Sequence, residues 1–80
     1  MRLVKITNNK HWVVKDASEV LVNVDRILYF SMDSDEPNDR GEACISMYIH
    51  MDNKEKIEII TFTNDPISEF NQLSKLFSNK

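Results

Sequence analysis

The chain has 80 residues, of which 41% are hydrophobic and 29% are charged, and its formal net charge is −3. A chain of this length can enclose only one small core, so we expect a single domain spanning residues 1–80. The acidic balance disfavours direct binding of nucleic acid, because affinity for a phosphate backbone depends on clustered cationic side chains.

The first 32 residues show the alternation of apolar and polar side chains that is typical of strands. Val4 and Ile6 alternate with polar residues, an Asn-Asn-Lys turn sequence follows, and Trp12–Val14 resumes the pattern, which predicts an N-terminal hairpin. Two further strands are expected within residues 21–24 and 27–32. The second of these strands opens with Ile-Leu-Tyr-Phe, so we predict that it is buried, at least in part, on both faces.

The segment Asp33–Glu42 reads DSDEPNDRGE and predicts an acidic loop, since it holds the only glycine, one of two prolines and five carboxylates against one arginine. Its carboxylates do not follow the order of a calcium-binding loop, because Pro37 stands where a third ligand would follow Asp33 and Asp35. We therefore expect a solvated connection and no metal site. Connections of this length also often belong to binding surfaces, and the side chains that would bind a partner are Asp33, Asp35, Glu36, Asp39 and Glu42.

Residues 44–62 predict the central β-hairpin of the fold. A three-residue turn at residues 53–55 would pair Ile49 with Ile59 and would put the odd-numbered side chains on the core face. Ile60 and Phe62 then fall on the opposite face, so the far end of the hairpin is covered on both faces, or a bulge between Ile59 and Ile60 restores the alternation. The candidate interface residues on this opposite face are Tyr48, Ile60 and Phe62. An uncovered apolar face of this kind is typical of a protein interface.

The C-terminal segment carries the clearest helix signal in the chain. Asp65 can cap the first N–H groups, and Pro66 suits the first helical position because its missing N–H is not needed there. Apolar side chains recur at intervals of three and four residues at Phe70, Leu73 and Phe77. This spacing predicts a helix that buries one apolar stripe.

The predicted fold class is α+β, a small antiparallel β-sheet of four or five strands with one C-terminal α-helix packed on one face. Residues 1–63 supply the strands and residues from about 65 to 78 supply the helix. The sequence shows no targeting pattern and no run of the ~20 apolar residues that a membrane span needs. The lone Cys44 excludes an intrachain disulfide. We therefore expect a cytoplasmic protein with no membrane partner.

His50 is the residue that most suggests catalysis, because imidazole titrates near neutral pH. In the predicted register it lies opposite Glu58, which could orient it, but a solvated cross-strand pair is the simpler interpretation. Cys44 lies roughly 20 Å away along the same strand, so it cannot form a nucleophile–base pair with His50. The single glycine also disfavours a glycine-rich phosphate-binding loop. We expect no catalytic residue and no cofactor.

Together these features favour a small cytosolic, non-enzymatic protein-interaction or regulatory module that self-associates, as a dimer, through a sheet edge or the uncovered sheet face. One alternative is a small acidic inhibitor, of the kind that a mobile element encodes, which blocks a basic nucleic-acid-binding partner through the segment Asp33–Glu42. A second alternative is an enzyme that uses His50 with Glu58.

Overall fold

The computed structural model describes residues 2–78 and shows an α+β fold. Within these residues, six strands precede one α-helix, and a 3₁₀ turn at Val24–Arg26 separates the third strand from the fourth. The elements in chain order are β1 (Leu3–Thr7), β2 (Trp12–Val14), β3 (Glu19–Asn23), β4 (Ile27–Ser34), β5 (Ala43–Met51), β6 (Lys56–Thr63) and α1 (Pro66–Ser78). No helix in the described part of the chain has the length and apolar character to cross a bilayer.

The strands form two antiparallel sheets. β2, β6, β5 and β4 lie side by side in that order in a four-stranded sheet, and β1 pairs with β3 in a two-stranded ribbon. The predicted N-terminal hairpin is therefore wrong, since β2 pairs with β6 and not with β1. Two asparagines explain the difference: Asn9 Oδ1 accepts the N–H groups of His11 and Trp12, and Asn8 Oδ1 accepts that of Val14. These bonds satisfy the main chain locally, so that β2 leaves β1 and reaches β6.

β5 and β6 form the predicted central hairpin, but in a different register. Met47 faces Ile59 and Ile49 faces Ile57, so the pairing is shifted by two residues from the expected one. A shift of two residues preserves which side chains face the core, because side chains alternate along a strand with a period of two. The prediction that the odd-numbered side chains form the core face is confirmed by their burial.

The turn of this hairpin sets the register. It spans residues 52–54, one position earlier than predicted, and the N–H of Met51 donates to the carbonyl oxygen of Glu55 at 2.9 Å. Lys54 takes the left-handed conformation with a φ of 71°. Non-glycine residues adopt this conformation infrequently, so nothing in the sequence marked Lys54 as the residue that closes the turn.

The four-stranded sheet buries one face against α1 and the β1–β3 ribbon, as the predicted fold class requires. The Phe30 ring of β4 lies 5.7 Å from the Phe77 ring of α1, measured between centroids. The buried side chains form one cluster that draws on the sheet, the ribbon and the helix: Ile45, Met47, Ile49, Ile59, Trp12, Val14, Ala43, Ile6, Val22, Leu73 and Phe77.

α1 begins as the sequence predicts. Asp65 Oδ1 accepts an N–H of the first turn at 3.2 Å, and Pro66 is the first helical residue. Leu73 and Phe77 are buried, whereas Ile67 is exposed to solvent. The apolar stripe is thus narrower than the set of apolar residues on the helix.

The prediction that β4 is buried on both faces is wrong. Leu28 and Tyr29 are 63% and 56% exposed. The pairing of β4 with β5 shifts by one residue between Ile27 and Tyr29, so Leu28 forms a bulge. Beyond the bulge, alternation resumes, and Phe30 and Met32 turn toward the core.

Glu69 is the buried carboxylate that joins α1 to β2. Its Oε1 lies 2.6 Å from Nε2 of His11, and its Oε2 accepts the indole N–H of Trp12 at 3.1 Å. The main-chain carbonyl of His11 in turn accepts the hydroxyl of Thr61 at 2.6 Å. Sequence reasoning assigned Glu69 no partner, although an acidic residue in the first turn also favours the helix dipole. In the structure, Glu69 holds β2, β6 and α1 in one arrangement.

We predict that Glu69→Ala lowers the free energy of unfolding by about 1–3 kcal/mol, because the indole N–H of Trp12 would remain buried without an acceptor. Urea denaturation followed by circular dichroism measures the change. Gln72→Ala, at an exposed position of the same helix, is the matched control and should leave stability nearly unchanged. Equal effects of the two substitutions would show that the Glu69 contacts do not stabilise the fold.

Candidate functional site

The face of the four-stranded sheet that points away from α1 is open, and we call it the outer face. No element within residues 2–78 lies across it, since both α1 and the ribbon pack on the opposite face. Four strands contribute to it, with alternate side chains from each: Val13; Tyr29, Ser31 and Asp33; Cys44, Ser46, Tyr48 and His50; and Lys56, Glu58, Ile60 and Phe62.

One end of the outer face is apolar, and we call Val13, Cys44, Ile60 and Phe62 the apolar corner. Val13 pairs with Ile60 across β2 and β6, and Phe62 pairs with Cys44 across β6 and β5. Directly opposite side chains on one face have Cβ atoms about 4.5–5.5 Å apart, so the four side chains form a continuous patch. Phe62 is 52% exposed and Val13 is 46% exposed. The two candidate interface residues Ile60 and Phe62 therefore lie together on an uncovered surface.

Tyr48, the third candidate interface residue, lies in a charged strip beside the apolar corner. It pairs with Glu58 across the hairpin, and the Nζ atom of Lys56 lies 4.8 Å from the centroid of its ring. This distance fits a cation–π interaction. Glu58 also lies 3.6 Å from Nζ of Lys15. The surroundings of Tyr48 are thus polar, in contrast to those of the other two candidates.

The predicted pairing of His50 with Glu58 is wrong. The two-residue shift of the hairpin puts Lys56 opposite His50. The imidazole instead stacks on the Tyr29 ring at 4.1 Å between centroids, and its Nε2 lies 2.7 Å from Oγ of Ser31. Both partners come from β4, and sequence reasoning missed them because the bulge in β4 and the long connection after it hide the register of β4 against β5.

Ser31 and His50 lie at the distance of a nucleophile–base pair, but no third side chain orients the imidazole among residues 2–78. A catalytic base of this kind is oriented by a third side chain on its other ring nitrogen. Among residues 2–78, no side chain forms a hydrogen bond with that nitrogen of His50. The contacts with Tyr29 and Ser31 instead fix the imidazole on the surface of the sheet, and the enzyme hypothesis loses the carboxylate on which it depended.

A shallow depression lies beside His50, between the bulge at Leu28 and the turn of the central hairpin. Its volume is about 290 Å³, and it is open to solvent. Small-molecule sites commonly occupy about 300–1,000 Å³ and enclose most of the ligand. The depression therefore gives no support to a cofactor site.

The acidic segment is shorter as a loop than predicted, because β4 extends to Ser34 and the connection spans residues 35–42. Asp33 lies within β4 on the outer face, opposite Ser46. Asn38 organises the connection: its Oδ1 accepts the N–H groups of Arg40 and Glu42. Gly41 allows this turn with a φ of 79°, a value that favours glycine.

Three of the four carboxylate side chains of the connection are exposed to solvent. Asp35, Glu36 and Asp39 are exposed and Glu42 is half-buried. Across residues 2–78, no three His, Cys, Asp or Glu side chains are grouped in a way that could hold a metal ion. The ordered turn around Asn38 therefore presents a negatively charged surface to solvent.

The apolar corner and the acidic connection meet at the same end of the outer face. Cys44 pairs with Phe62 on one side, and its carbonyl oxygen accepts the N–H of Asp35 at 3.0 Å on the other. The apolar corner and the acidic connection, which the sequence indicated as separate candidate surfaces, are therefore neighbours in the structure. Comparisons of this chain with protein-family models, with curated proteins and with solved structures give no significant match.

We predict that millimolar Ca²⁺ or Mg²⁺ leaves the melting temperature within a degree or two of its value without metal. A ligand that binds only the native state raises this temperature by mass action, and the exposed carboxylates are not arranged to bind a cation. Thermal scans with and without metal provide the measurement. A rise of many degrees that Asp33→Asn with Asp35→Asn abolishes would contradict the prediction.

Proposed function

We propose that this chain is a non-enzymatic protein-interaction module whose outer face binds a second copy of the same chain. The observation that supports the proposal is the apolar corner, in which Phe62 and Val13 are about half exposed beside Ile60 and Cys44. Burial of such a patch contributes roughly 25 cal/mol per Å² of apolar surface, which is a driving force for association. Contiguous exposed apolar patches on soluble domains usually mark an interface.

The charges around the apolar corner are compatible with an identical partner. The corner itself contains no Lys, Arg, Asp or Glu side chain. Next to it, Lys15 and Glu58 pair within the same chain at 3.6 Å. A twofold contact would bring one corner against the other without opposing like charges, and twofold dimers are the commonest oligomers. The lone cysteine fits a reducing compartment, so we include a cytoplasmic location in the proposal.

We predict that the wild-type chain sediments at a mass of at least twice 9.4 kDa at micromolar concentration and that Phe62→Lys lowers the average mass. The substitution puts an ammonium group into the apolar corner, where the contact would have to desolvate it. Sedimentation velocity measures the mass, and circular dichroism shows whether the fold is retained.

Leu21→Lys is the matched control for this experiment. Leu21 lies on the ribbon, outside the outer face, and is 61% exposed, which is similar to the exposure of Phe62. It should leave the mass unchanged. A wild-type protein that sediments at 9.4 kDa at all concentrations would contradict the proposal.

A second candidate function is that of an acidic inhibitor of a basic partner. The observation that favours it is the ordered turn around Asn38, which presents exposed carboxylates beside Asp33 on the outer face. A groove that binds a phosphate backbone would attract this negative surface, and the complex would weaken steeply with salt.

We predict that, if this second function holds, binding to polylysine is lost when Asp35, Glu36 and Asp39 are replaced by their amides. Phe62→Lys should leave that binding intact, whereas it disrupts the self-association proposed above. Titration at several salt concentrations separates the two functions, because contact through the apolar corner depends little on salt. Binding that does not change on neutralisation of the three carboxylates would exclude the inhibitor.

A further inference from the structure

β4 is the longer of the two edge strands of the four-stranded sheet. It ends the order β2, β6, β5, β4, and no described strand pairs with its outer side. β4 has eight residues, whereas β2, at the other edge of the same sheet, has three. A short edge strand offers little to a partner, but a long one presents a row of unpaired main-chain groups.

The direction of these main-chain groups follows from the ladder with β5. The N–H of Asp35 donates to the carbonyl of Cys44 at 3.0 Å. In an antiparallel ladder, alternate residues turn both main-chain groups to the same side. The odd-numbered residues of β4 therefore bond to β5, and the N–H and C=O groups of Phe30, Met32 and Ser34 point outward. No described residue forms a hydrogen bond with them.

β4 carries few of the features that usually protect an edge. Its sequence, ILYFSMDS, contains no lysine, arginine or proline and one charged residue, Asp33. The bulge at Leu28 disturbs only one end of the strand and leaves Tyr29 to Ser34 in regular pairing geometry. Leu28 and Tyr29 are 63% and 56% exposed beside this edge. Exposed edges with apolar side chains are sites of strand addition.

We propose that β4 pairs antiparallel with β4 of a second copy, with Ser31 on the twofold axis, to form one continuous eight-stranded sheet. This register matches outward main-chain groups with each other, because it puts Phe30 opposite Met32 of the second copy. It also keeps both of these side chains on the core face and puts Tyr29 opposite Asp33 of the second copy on the outer face. The edge is thus complementary to itself.

The charge of Asp33 favours the same antiparallel pairing of the two β4 strands. Asp33 is the only charged residue in β4. In the antiparallel register the two Asp33 residues lie about four strand positions apart, or roughly 13 Å. Each then faces an aromatic ring that stacks on His50. A parallel, in-register pair would bring the two carboxylates side by side, which is unfavourable.

The edge contact goes beyond the function proposed above, because it uses different residues, at the edge of the sheet opposite β2. The apolar corner draws on β2, β6 and β5, while the edge contact involves β4 alone. A chain with both twofold contacts can join two neighbours at once. Each contact can be removed without the other, so the two proposals can fail independently.

The test is disulfide cross-linking of Ser31→Cys in a chain that also carries Cys44→Ser and Phe62→Lys. Cys44→Ser removes the native thiol, and Phe62→Lys removes contact through the apolar corner. Facing residues of a non-hydrogen-bonded pair have Cα atoms about 4.5 Å apart, within the range for a disulfide. Under mild oxidation we expect most of the protein to run at twice 9.4 kDa on a non-reducing gel.

Asp33→Cys in the same background is the matched control, since it lies on the same strand and the same face. At roughly 13 Å from its counterpart it should not cross-link to itself. An equal mixture of Tyr29→Cys and Asp33→Cys chains should cross-link, because the register puts these positions opposite each other. Leu28→Lys added to Ser31→Cys should reduce cross-linking severalfold, and Leu21→Lys should not.

The proposal is overturned if folded Ser31→Cys protein stays a free thiol, or if Asp33→Cys cross-links as readily as Ser31→Cys. Circular dichroism establishes that each variant is folded. Failure of the function proposed above has a different result: the Phe62→Lys substitution alone would leave the sedimentation mass unchanged.

Discussion

The contact between Glu69 and the β2 strand is the interaction on which the arrangement of this fold depends. A buried carboxylate is unfavourable unless donors surround it, and both of its oxygens have partners in His11 and Trp12. Trp12 is the first residue of β2 and His11 precedes it, and the sheet would otherwise hold this strand by only three residue pairs with β6. The helix therefore does more than cover apolar surface, because it also fixes the position of a sheet strand. The open outer face is a consequence, since the helix and the ribbon are both committed to the other side.

Periodicity predicted the parts of the fold that depend on local sequence. The helix and its cap at Asp65, the α+β class and the core face of the hairpin all follow from spacing that neighbouring residues define. The partner of β1 could not be predicted in this way. A hairpin between β1 and β2 satisfies the same alternation. Pairing of β2 with β6 is favoured by the side-chain bonds of Asn8 and Asn9 and by contacts with the distant Thr61 and Glu69, none of which periodicity reveals.

For the candidate site, the sequence likewise predicted which face each side chain lies on but not its cross-strand partners. Ile60 and Phe62 were assigned to the uncovered face correctly, because a register error of two residues leaves the facing unchanged. The same error changed every cross-strand partner, so the environment of His50 was predicted wrongly. The stack with Tyr29 and the contact with Ser31 depend on a bulge in β4, for which the sequence carries no glycine or other marker.

The pairing of β2 with β6 has a consequence for the order in which the chain can fold. The indole of Trp12 and the carboxylate of Glu69 are 57 residues apart in sequence, and the guanidinium of Arg2 donates to the carbonyl of Phe77 across 75 residues. The loop-closure entropy of contacts of such long range must be paid before the contacts stabilise the fold, which slows folding. During synthesis, β2 has no partner until β6 and α1 have followed it. The four-stranded sheet and its contact with Glu69 can therefore form only after residues 56–78 have been made.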